Sequence, residues 1–483
     1  MPDSLLTHTA TELTELAAER PFDCVIVGAG SSGLVAALTL SQTNPSLRLA
    51  ILEAGPAPFL THASNTELRY SRTLLQSVRD QVRYAPTLPD GTPFGPNYGC
   101  LGGRGLFWNG AAPRFRPHDF EGWPFSAADL ADDYVWAEAE FRVTTRLGET
   151  ALSARLIAAL QRAGFAAEPG PFAVDVGTDG VGALAAGVAS GLGVFFRCAG
   201  DAVSGGSIRI ATRTYAERID HNHGAVRGVF ARTGDSTPSL IRARSVVLAA
   251  GGIESVRIAM LSGVPDPSGK LGFGLQEHHF YDCWFDAPEQ FDPVRPDVAV
   301  VYVPSSSQDS EQWELHAPGR TLFQLDDGAP WAPAATDRYR IMVRSFSATD
   351  KAAGGRVVPR TGPPGAAVIE FPYTTADTER RAATLARAAR MAGAVAGRPV
   401  GDLPVDDVRR FRVAGSSYHE AGGLDMGIDS ATSVTDPSGS FHQLRTLVNM
   451  DAASFPRIGA TNPHLTLIAV ARRKARQLAA ELR

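Results

Sequence analysis

The sequence predicts an α/β protein with two parts: a parallel-sheet domain assembled from separate segments, and a second domain built on a mixed, largely antiparallel sheet. Three observations predict this fold class. A β-turn-α-β pattern occupies residues 22–54, a second buried-strand run at 245–250 returns to the same sheet, and strand-like runs alternate with Pro/Gly-rich connections over 285–400. The length of 483 residues also exceeds that of a usual single domain.

The first element is a strand, a glycine-rich turn and a helix. The apolar run FDCVIV leads into GAGSSG, which contains Gly28, Gly30, Ser31 and Gly33 and opens the helix-like LVAALTLSQ. These glycines allow a tight turn and a close backbone approach to a pyrophosphate, and the helix N-terminus attracts phosphate. Glu53 ends the next strand, where an acid accepts ribose hydroxyls. The pattern predicts a Rossmann-like dinucleotide site, for FAD or NAD.

The later elements predict two interleaved domains. The nucleotide-binding domain is expected to comprise residues 15–60, 95–125, 200–284 and 420–483. The substrate-binding domain is expected to comprise residues 61–94, 126–199 and 285–419. Helical patterns cover 378–397 and 465–483, and the second helix is expected to start with Asn462 as its N-cap and Pro463 in its first turn.

Composition excludes several classes of partner. The net charge is −5, and no Lys/Arg run with interleaved aromatic residues is present, so nucleic-acid binding is not expected. The first twenty residues lack the features of a signal peptide, and the apolar stretch 176–196 is interrupted by an acid and glycines. We therefore expect a cytoplasmic protein with no membrane partner. Neither a disulfide framework nor a metal site is expected from the spacing of Cys24, Cys100, Cys198 and Cys283.

Four stretches of the chain, in order, resemble the glucose-methanol-choline (GMC) oxidoreductase family. They are FDCVIVGAGSSG with LEAG, GCLGGRGLFWNGAAPR, SVVLAAGGIESVRIAM with GFGLQEHHF, and YHEAGGLDMG followed by VNMDAASFPRIGATNPHLTLIAVARRKARQLA. The loop GGRGLFWNGAAP is most similar to the pyranose and glycoside oxidase branch. The resemblance implies FAD rather than NAD as the cofactor. It adds further cofactor-binding residues, namely Gly102, Gly103, Trp108, Asn109, Ala250 and Asp451.

The carboxy-terminal stretches imply the catalytic residues. His419 lies in YHEAGGLDMG, which resembles the family's HPxG…MG pattern, whose histidine is the base. Histidine suits this task because its unperturbed pKa is close to working pH. Asn462 falls where the family places a residue that hydrogen-bonds the substrate oxygen. The N–H groups of His464 and Leu465 would stabilise the negative charge of the reduced flavin by on the order of 1–2 kcal/mol.

Two positions depart from the family pattern, and one motif keeps a supporting role. Phe107 stands where some members have a histidine bonded covalently to the flavin, so we expect non-covalent FAD. Asp425 stands where the family commonly has Arg, which leaves the pairing made by that Arg open. His278 and His279 in GFGLQEHHF are expected to have a structural role or to support the cofactor domain rather than to catalyse.

The expected function is the oxidation of a CH–OH group in a sugar, glycoside or polyol, with O2 or another electron acceptor. Two alternatives stay open: a hydroxynitrile lyase that keeps FAD without redox turnover, and oxidation of a steroid or natural-product alcohol. The segment WELHAPGRTLFQLDDGAPW is mixed rather than apolar, which favours a polar substrate. The sequence leaves open the substrate, its reacting hydroxyl, the acceptor and the oligomeric state.

Overall fold

The computed structural model describes residues 8–175, 187–286, 299–307, 310–317, 340–395 and 411–482. Its helices are α1 (Ala10–Glu19), α2 (Ser31–Thr43), α3 (Arg72–Val82), α4 (Ala131–Glu140), α5 (Ala151–Arg162), α6 (Gly191–Ser204), α7 (Glu254–Leu261), α8 (Thr375–Ala394) and α9 (His464–Glu481). Along the described chain, no helix is both long and apolar enough to cross a membrane.

Strands account for most of the remaining regular structure. The first ten are β1 (Phe22–Val27), β2 (Leu49–Leu52), β3 (Arg83–Tyr84), β4 (Asn97–Tyr98), β5 (Val143–Thr144), β6 (Glu168–Pro169), β7 (Phe172–Asp175), β8 (Gly187–Val188), β9 (Ile208–Ala211) and β10 (Thr214–Asn222). The others are β11 (Ala225–Thr233), β12 (Ser239–Leu248), β13 (His278–Asp286), β14 (Ala299–Val303), β15 (Glu311–Ala317), β16 (Arg340–Ala348), β17 (Arg356–Val358), β18 (Val368–Glu370), β19 (Ser440–Phe441) and β20 (Leu444–Asn449).

The larger sheet has a parallel core. Five parallel strands run in the order β20-β12-β1-β2-β9, and antiparallel β10, β11 and β19 extend it to eight strands among the described residues. Residues of β1 and β2 are buried throughout, as in parallel sheets covered on both faces. The register pairs Val27 with Leu52 and Leu248, so the carboxyl ends of three strands meet at one edge.

The second sheet has the order β13-β16-β15-β14-β6, and its described pairs are antiparallel. Helices α5 and α8 pack against it. This sheet and the parallel sheet confirm the predicted fold class. The domain bounds stay a prediction, although β13 begins at His278, inside the segment 200–284 assigned to the nucleotide-binding domain. Two of the sequence arguments rest partly on residues outside the described ones. These are residues 176–186, from the apolar stretch tested as a membrane span, and residues 318–331, from the segment whose polarity favoured a polar substrate.

The start of α9 differs from the expectation. The helix begins at His464 with Pro463 as its N-cap, and no side-chain capping bond is present there. The prediction that Asn462 caps this helix is wrong: Pro463 takes the N-cap position, and the Asn462 oxygen accepts no bond from the helix. The Asn462 amide nitrogen donates to Glu314. Helix α8 starts three residues before the predicted position, because Thr374 forms a capping box with the third residue of the helix.

Candidate active site

A cleft lies at the carboxyl ends of parallel strands β1, β2, β12 and β20. Its empty volume is about 1930 Å³ with the open mouth included. The wall contains residues that follow these strands within two positions, among them Gly28, Glu53, Ala250 and Asp451. In open α/β sheets this edge is where nucleotide ligands bind. The topology therefore brings together predicted residues that are more than 400 positions apart in the sequence.

The glycine-rich turn leaves no room for side chains at two positions. A Cβ at Gly28 would lie 2.5 Å from the Ala249 carbonyl oxygen, and one at Gly33 would lie 2.0 Å from the Gly28 carbonyl oxygen. A Cβ at Gly30 would meet nothing within 4 Å, and Gly30 lines the cleft. The backbone at the start of α2 is therefore exposed to a ligand, while Gly33 serves the packing of the turn against the helix.

Two buried acids hold the cleft wall in place. Glu53 accepts hydrogen bonds from the backbone N–H groups of Ala29 (3.1 Å) and Gly55 (2.9 Å), and burial raises its pKa. Asp451 is 2% exposed and accepts bonds from the Gly251 N–H (2.9 Å) and the Ser255 hydroxyl (2.5 Å). Both carboxylates thus fix backbone at the ends of parallel strands and also line the cleft.

The loop after β4 forms the second side of the cleft. Gly102 and Gly103 have φ values of 97° and 54°, a region that glycine adopts without strain. Trp108 stacks on His464 with ring centroids 4.1 Å apart, and its indole N–H donates to the Ala189 carbonyl at 2.8 Å. Trp108 therefore lines the cleft and also holds the first residue of α9.

The predicted cofactor residues do not all lie in the cleft wall. Most of them line it, namely Gly28, Gly30, Ser31, Glu53, Gly103, Trp108, Asn109, Ala250, Asp451 and His464. Three lie behind the wall, namely Gly33, Gly102 and Leu465. For these three, the side-chain space and the backbone conformation explain the residue type better than contact with a ligand does.

Four buried polar atoms along the cleft have no hydrogen-bond partner in the described part of the chain. They are Ser31 Oγ, Glu420 Oε1, Asn462 Oδ1 and His464 Nε2. A buried polar group without a partner costs about 1–3 kcal/mol, so native structures rarely leave several of them side by side. Together with the open glycine turn, these atoms fit an extended polar ligand of the size and chemistry of FAD.

His419 lies in the cleft wall at the end of a tight turn. The preceding residue, Tyr418, has a φ of 64°, which costs a non-glycine residue roughly 1–2 kcal/mol. Arg104 stabilises this turn by donating to the Tyr418 carbonyl (2.7 Å) and to Glu420 (2.5 Å). Burial, followed by the proximity of His278 and Arg104, lowers the pKa of His419 well below its usual value. The imidazole is therefore neutral at working pH.

Asn462 is held by the second sheet. Its Nδ2 donates to Glu314 at 2.6 Å, and its backbone N–H donates to Gln312 at 2.9 Å. Gln312 in turn donates to the same oxygen of Glu314 at 3.0 Å. This arrangement fixes the amide with its oxygen turned away from Glu314, and that oxygen is one of the four without a partner.

Sequence reasoning missed several residues of this site. Arg104 lies in the motif GGRG and Glu420 lies in the motif YHEAGG, and the two form an ion pair. Their opposite charges were the only feature of the sequence that could have suggested this pair. Glu314 gave no signal, because it lies in an ordinary strand pattern. Asp425 stands where the family commonly has Arg. It accepts a hydrogen bond from Lys351, so its negative charge is compensated by a lysine of the same chain.

Two family models described as GMC oxidoreductase match the chain. The N-terminal model matches residues 115–280, and the C-terminal model matches residues 355–471. The chain belongs to the GMC oxidoreductase family. As a member of it, the protein is an FAD-dependent oxidoreductase that oxidises a CH–OH group of a small-molecule alcohol.

Relatives of known activity cover nearly the whole chain. The C-glycoside 3-oxidase of Microbacterium trichothecenolyticum is 26% identical over 95% of this chain and 97% of its own length. The paromamine 6'-oxidase of Streptomyces fradiae is 27% identical over 96% of this chain and 92% of its own length. Among solved structures, pyridoxine 4-oxidase from "Mesorbium loti" has the same fold, with a TM-score of 0.71, 20% identity, and coverage of 94% of this chain and 99% of that chain.

Proposed function

We propose that this GMC oxidoreductase binds FAD non-covalently and oxidises a hydroxyl group of a sugar, glycoside or polyol, with His419 as the base and Asn462 as the residue that holds the substrate oxygen. One observation carries the proposal. A neutral imidazole, that of His419, lies in the wall of the same cleft as the glycine turn and the unpartnered oxygen of Asn462. A neutral imidazole is what proton abstraction from a hydroxyl requires.

The cleft offers a place for each part of the cofactor. The open backbone around Gly30 and Ser31 at the start of α2 would receive the pyrophosphate, since the helix N-terminus favours anions. Glu53 would accept the ribose hydroxyls. Phe107, which packs against Tyr98 with ring centroids 4.9 Å apart, offers no nucleophile to the flavin, so the cofactor is held by contacts alone.

The cofactor and two residues of the chain each have a separate task in the reaction. FAD, when bound, supplies the acceptor for the hydride that leaves the carbinol carbon. His419 accepts the hydroxyl proton. Asn462 keeps its Oδ1 and one amide N–H for the substrate, since the other N–H is engaged by Glu314. Both side chains are held by neighbours, which favours a fixed orientation of the reacting hydroxyl.

The start of α9 has an electrostatic role in this proposal. The helix is 18 residues long and begins at His464, whose ring is fixed by Trp108. Its first backbone N–H groups, including that of Leu465, carry the positive end of the helix dipole. Such a helix end stabilises negative charge that develops on a ligand beside it, by on the order of 1–2 kcal/mol.

The substrate class rests on the relatives and on the polarity of the cleft. Two relatives are named for oxidation of a C-glycoside and of paromamine. Around His419 the wall combines the aromatic rings of Phe280 and Phe346 with the polar side chains of Arg344 and Ser417. Apolar faces with a few placed polar groups suit a sugar ring better than the uniformly apolar surface of a steroid.

The role of His419 is tested by anaerobic reduction of the bound flavin. Pyranoses, glycosides and polyols are screened with the wild type, and His419→Ala is then compared using the best substrate. The variant should retain FAD but reduce it roughly a thousandfold more slowly, the size of effect that general base catalysis supports. His221→Ala, in the hairpin of β10 and β11, is the matched control and should reduce at the wild-type rate. Near-normal reduction in His419→Ala removes this residue from the mechanism.

Three further measurements test the remaining parts. A flavin that stays oxidised while substrate is consumed would identify a lyase instead of an oxidoreductase. Parallel assays with O2 and with an artificial dye identify the class of electron acceptor. Denaturation should release all the yellow colour into the supernatant, whereas colour in the protein pellet would contradict the inference drawn from Phe107.

A further inference from the structure

A second histidine lies directly behind His419. The Nδ1 atoms of His278 and His419 are 2.9 Å apart, and the two rings are nearly perpendicular at 81°. On its far side, His278 Nε2 lies 3.1 Å from the carbonyl oxygen of Gly459. His278 is 3% exposed and does not line the cleft, so it acts on a ligand only through His419.

This chain of hydrogen bonds fixes the positions of the protons. A carbonyl oxygen only accepts, so His278 Nε2 carries the hydrogen that faces Gly459. A neutral imidazole has a single N–H, which leaves His278 Nδ1 as an acceptor. His419 Nδ1 must therefore donate to it, and Nε2 is the nitrogen of His419 that keeps a lone pair.

The surroundings keep both rings neutral. Burial lowers the pKa of His278 to about 3, and the Gly459 carbonyl offsets this only in part. The charged and titratable groups that lower the pKa of His419 are His278, Arg104, His464 and Arg344. Neither imidazole is protonated at working pH, so the single-proton argument applies to both.

We propose that His278 is a positioning residue for the alcohol oxidation: it fixes the tautomer of His419 so that Nε2 presents the lone pair to the substrate hydroxyl. This inference rests on the proposed function, in which His419 is the base. When the O–H bond of the substrate breaks and the Nε2–H bond forms, the imidazolium keeps its Nδ1–H bond to His278. A bond from a charged donor is stronger than one from a neutral donor, so His278 also stabilises the protonated base.

Two substitutions separate this role from a merely structural one. In His278→Asn the amide lies where Nδ1 lay, so its oxygen can accept from His419 while the bond to Gly459 is lost. In His278→Gln the amide reaches the position of Nε2, so the bond to Gly459 is kept while His419 loses its acceptor. A structural role predicts that Gln is the better replacement, and a positioning role predicts that Asn is.

The first readout is the rate of anaerobic flavin reduction. We expect His278→Asn to stay within about tenfold of the wild type and His278→Gln to fall by about 100-fold or more, as expected when a catalytic histidine loses its tautomer. The reverse order, or equal rates for the two variants, overturns the proposal. Retention of FAD by each purified variant shows that it has folded.

The second readout is the tautomer itself. In holoenzyme labelled with 15N-histidine, the His419 resonances are those that disappear in His419→Ala. We expect a protonated Nδ1 and an unprotonated Nε2 in the wild type and in His278→Asn, and a mixture of tautomers in His278→Gln. A protonated Nε2 in the wild type overturns the inference whatever the variants do. Normal flavin reduction in His419→Ala would instead overturn the proposed function while leaving the tautomer assignment intact.

Discussion

Replacing Glu277 by Gln should change how the stability of the protein depends on pH. Glu277 is 1% exposed and accepts hydrogen bonds from the Ser417 hydroxyl and, at 3.3 Å, from the backbone N–H of His419. Burial, followed by the negative charge of Glu420, raises its pKa from 4.5 to about 8. The carboxyl group is therefore neutral in the folded protein at pH 6, where the unfolded chain would ionise it.

The sign and size of the effect follow from linkage. Between the two pKa values the folded state binds more protons than the unfolded state, so stability falls as pH rises. The contribution of Glu277 is fully present below its unfolded pKa and is lost by the time the pH passes its folded pKa. The total is on the order of 5 kcal/mol, of which about 3 kcal/mol is lost between pH 6 and pH 9. The Gln side chain of Glu277→Gln cannot ionise, so this variant should not lose this part of its stability as the pH rises.

The assay is thermal unfolding of the FAD-loaded protein at pH 6 and pH 9, with fixed FAD and a fixed scan rate. Between these pH values, Glu277→Gln should gain stability relative to the wild type. The control is Glu379→Gln, which removes a carboxylate at an exposed position of α8 and should follow the wild type at both pH values. If the difference in stability between Glu277→Gln and the wild type is the same at pH 6 and pH 9, Glu277 is already ionised in the folded state at pH 6.

Two further changes probe the cofactor turn and the second sheet. Gly33→Ala would place a Cβ 2.0 Å from the Gly28 carbonyl oxygen, so the purified variant should have lost its FAD absorbance. The control is Gly393→Ala in α8, whose Cβ would meet nothing within 4 Å. This control should keep its FAD absorbance and unfold at no lower a temperature than the wild type. Glu314→Gln frees the Asn462 amide to reverse, so flavin reduction should slow by about tenfold or more at unchanged FAD content; a wild-type rate would mean that Glu314 does not orient the amide.

The sequence predicted what depends on local pattern. The turn after β1, the acid after β2 and the re-entry of the sheet before Ala250 each follow from a few adjacent residues whose chemistry is specific. Parallel strands then bring these positions together without further information, because their carboxyl ends share one edge. The role of each residue stays a prediction, but its place at the cleft follows from the fold class.

The sequence did not predict the contacts made across large separations. Glu314 holds Asn462 over 148 positions, and His278 reaches His419 over 141. Such pairs depend on how the antiparallel sheet packs against the parallel one, which no local pattern encodes. The same limitation explains the error at α9. An Asn-Pro pair before a helix is typical of an N-cap. Here Glu314, on a distant strand, holds the Asn462 amide through its nitrogen, and the amide oxygen makes no bond to the helix.

The contacts between the antiparallel and the parallel sheet therefore position both the proposed base, His419, and Asn462. His278 begins β13 of the antiparallel sheet, while Gly459 lies in the segment between β20 and α9 of the parallel part. On the other side, Glu314 in β15 holds Asn462 just before α9. A small shift of the antiparallel sheet would change the His278 contact and the Asn462 amide at once, without touching the glycine turn. Substitutions at buried positions of β13 and β15 other than Phe280, which lines the cleft, should consequently alter flavin reduction while FAD remains bound.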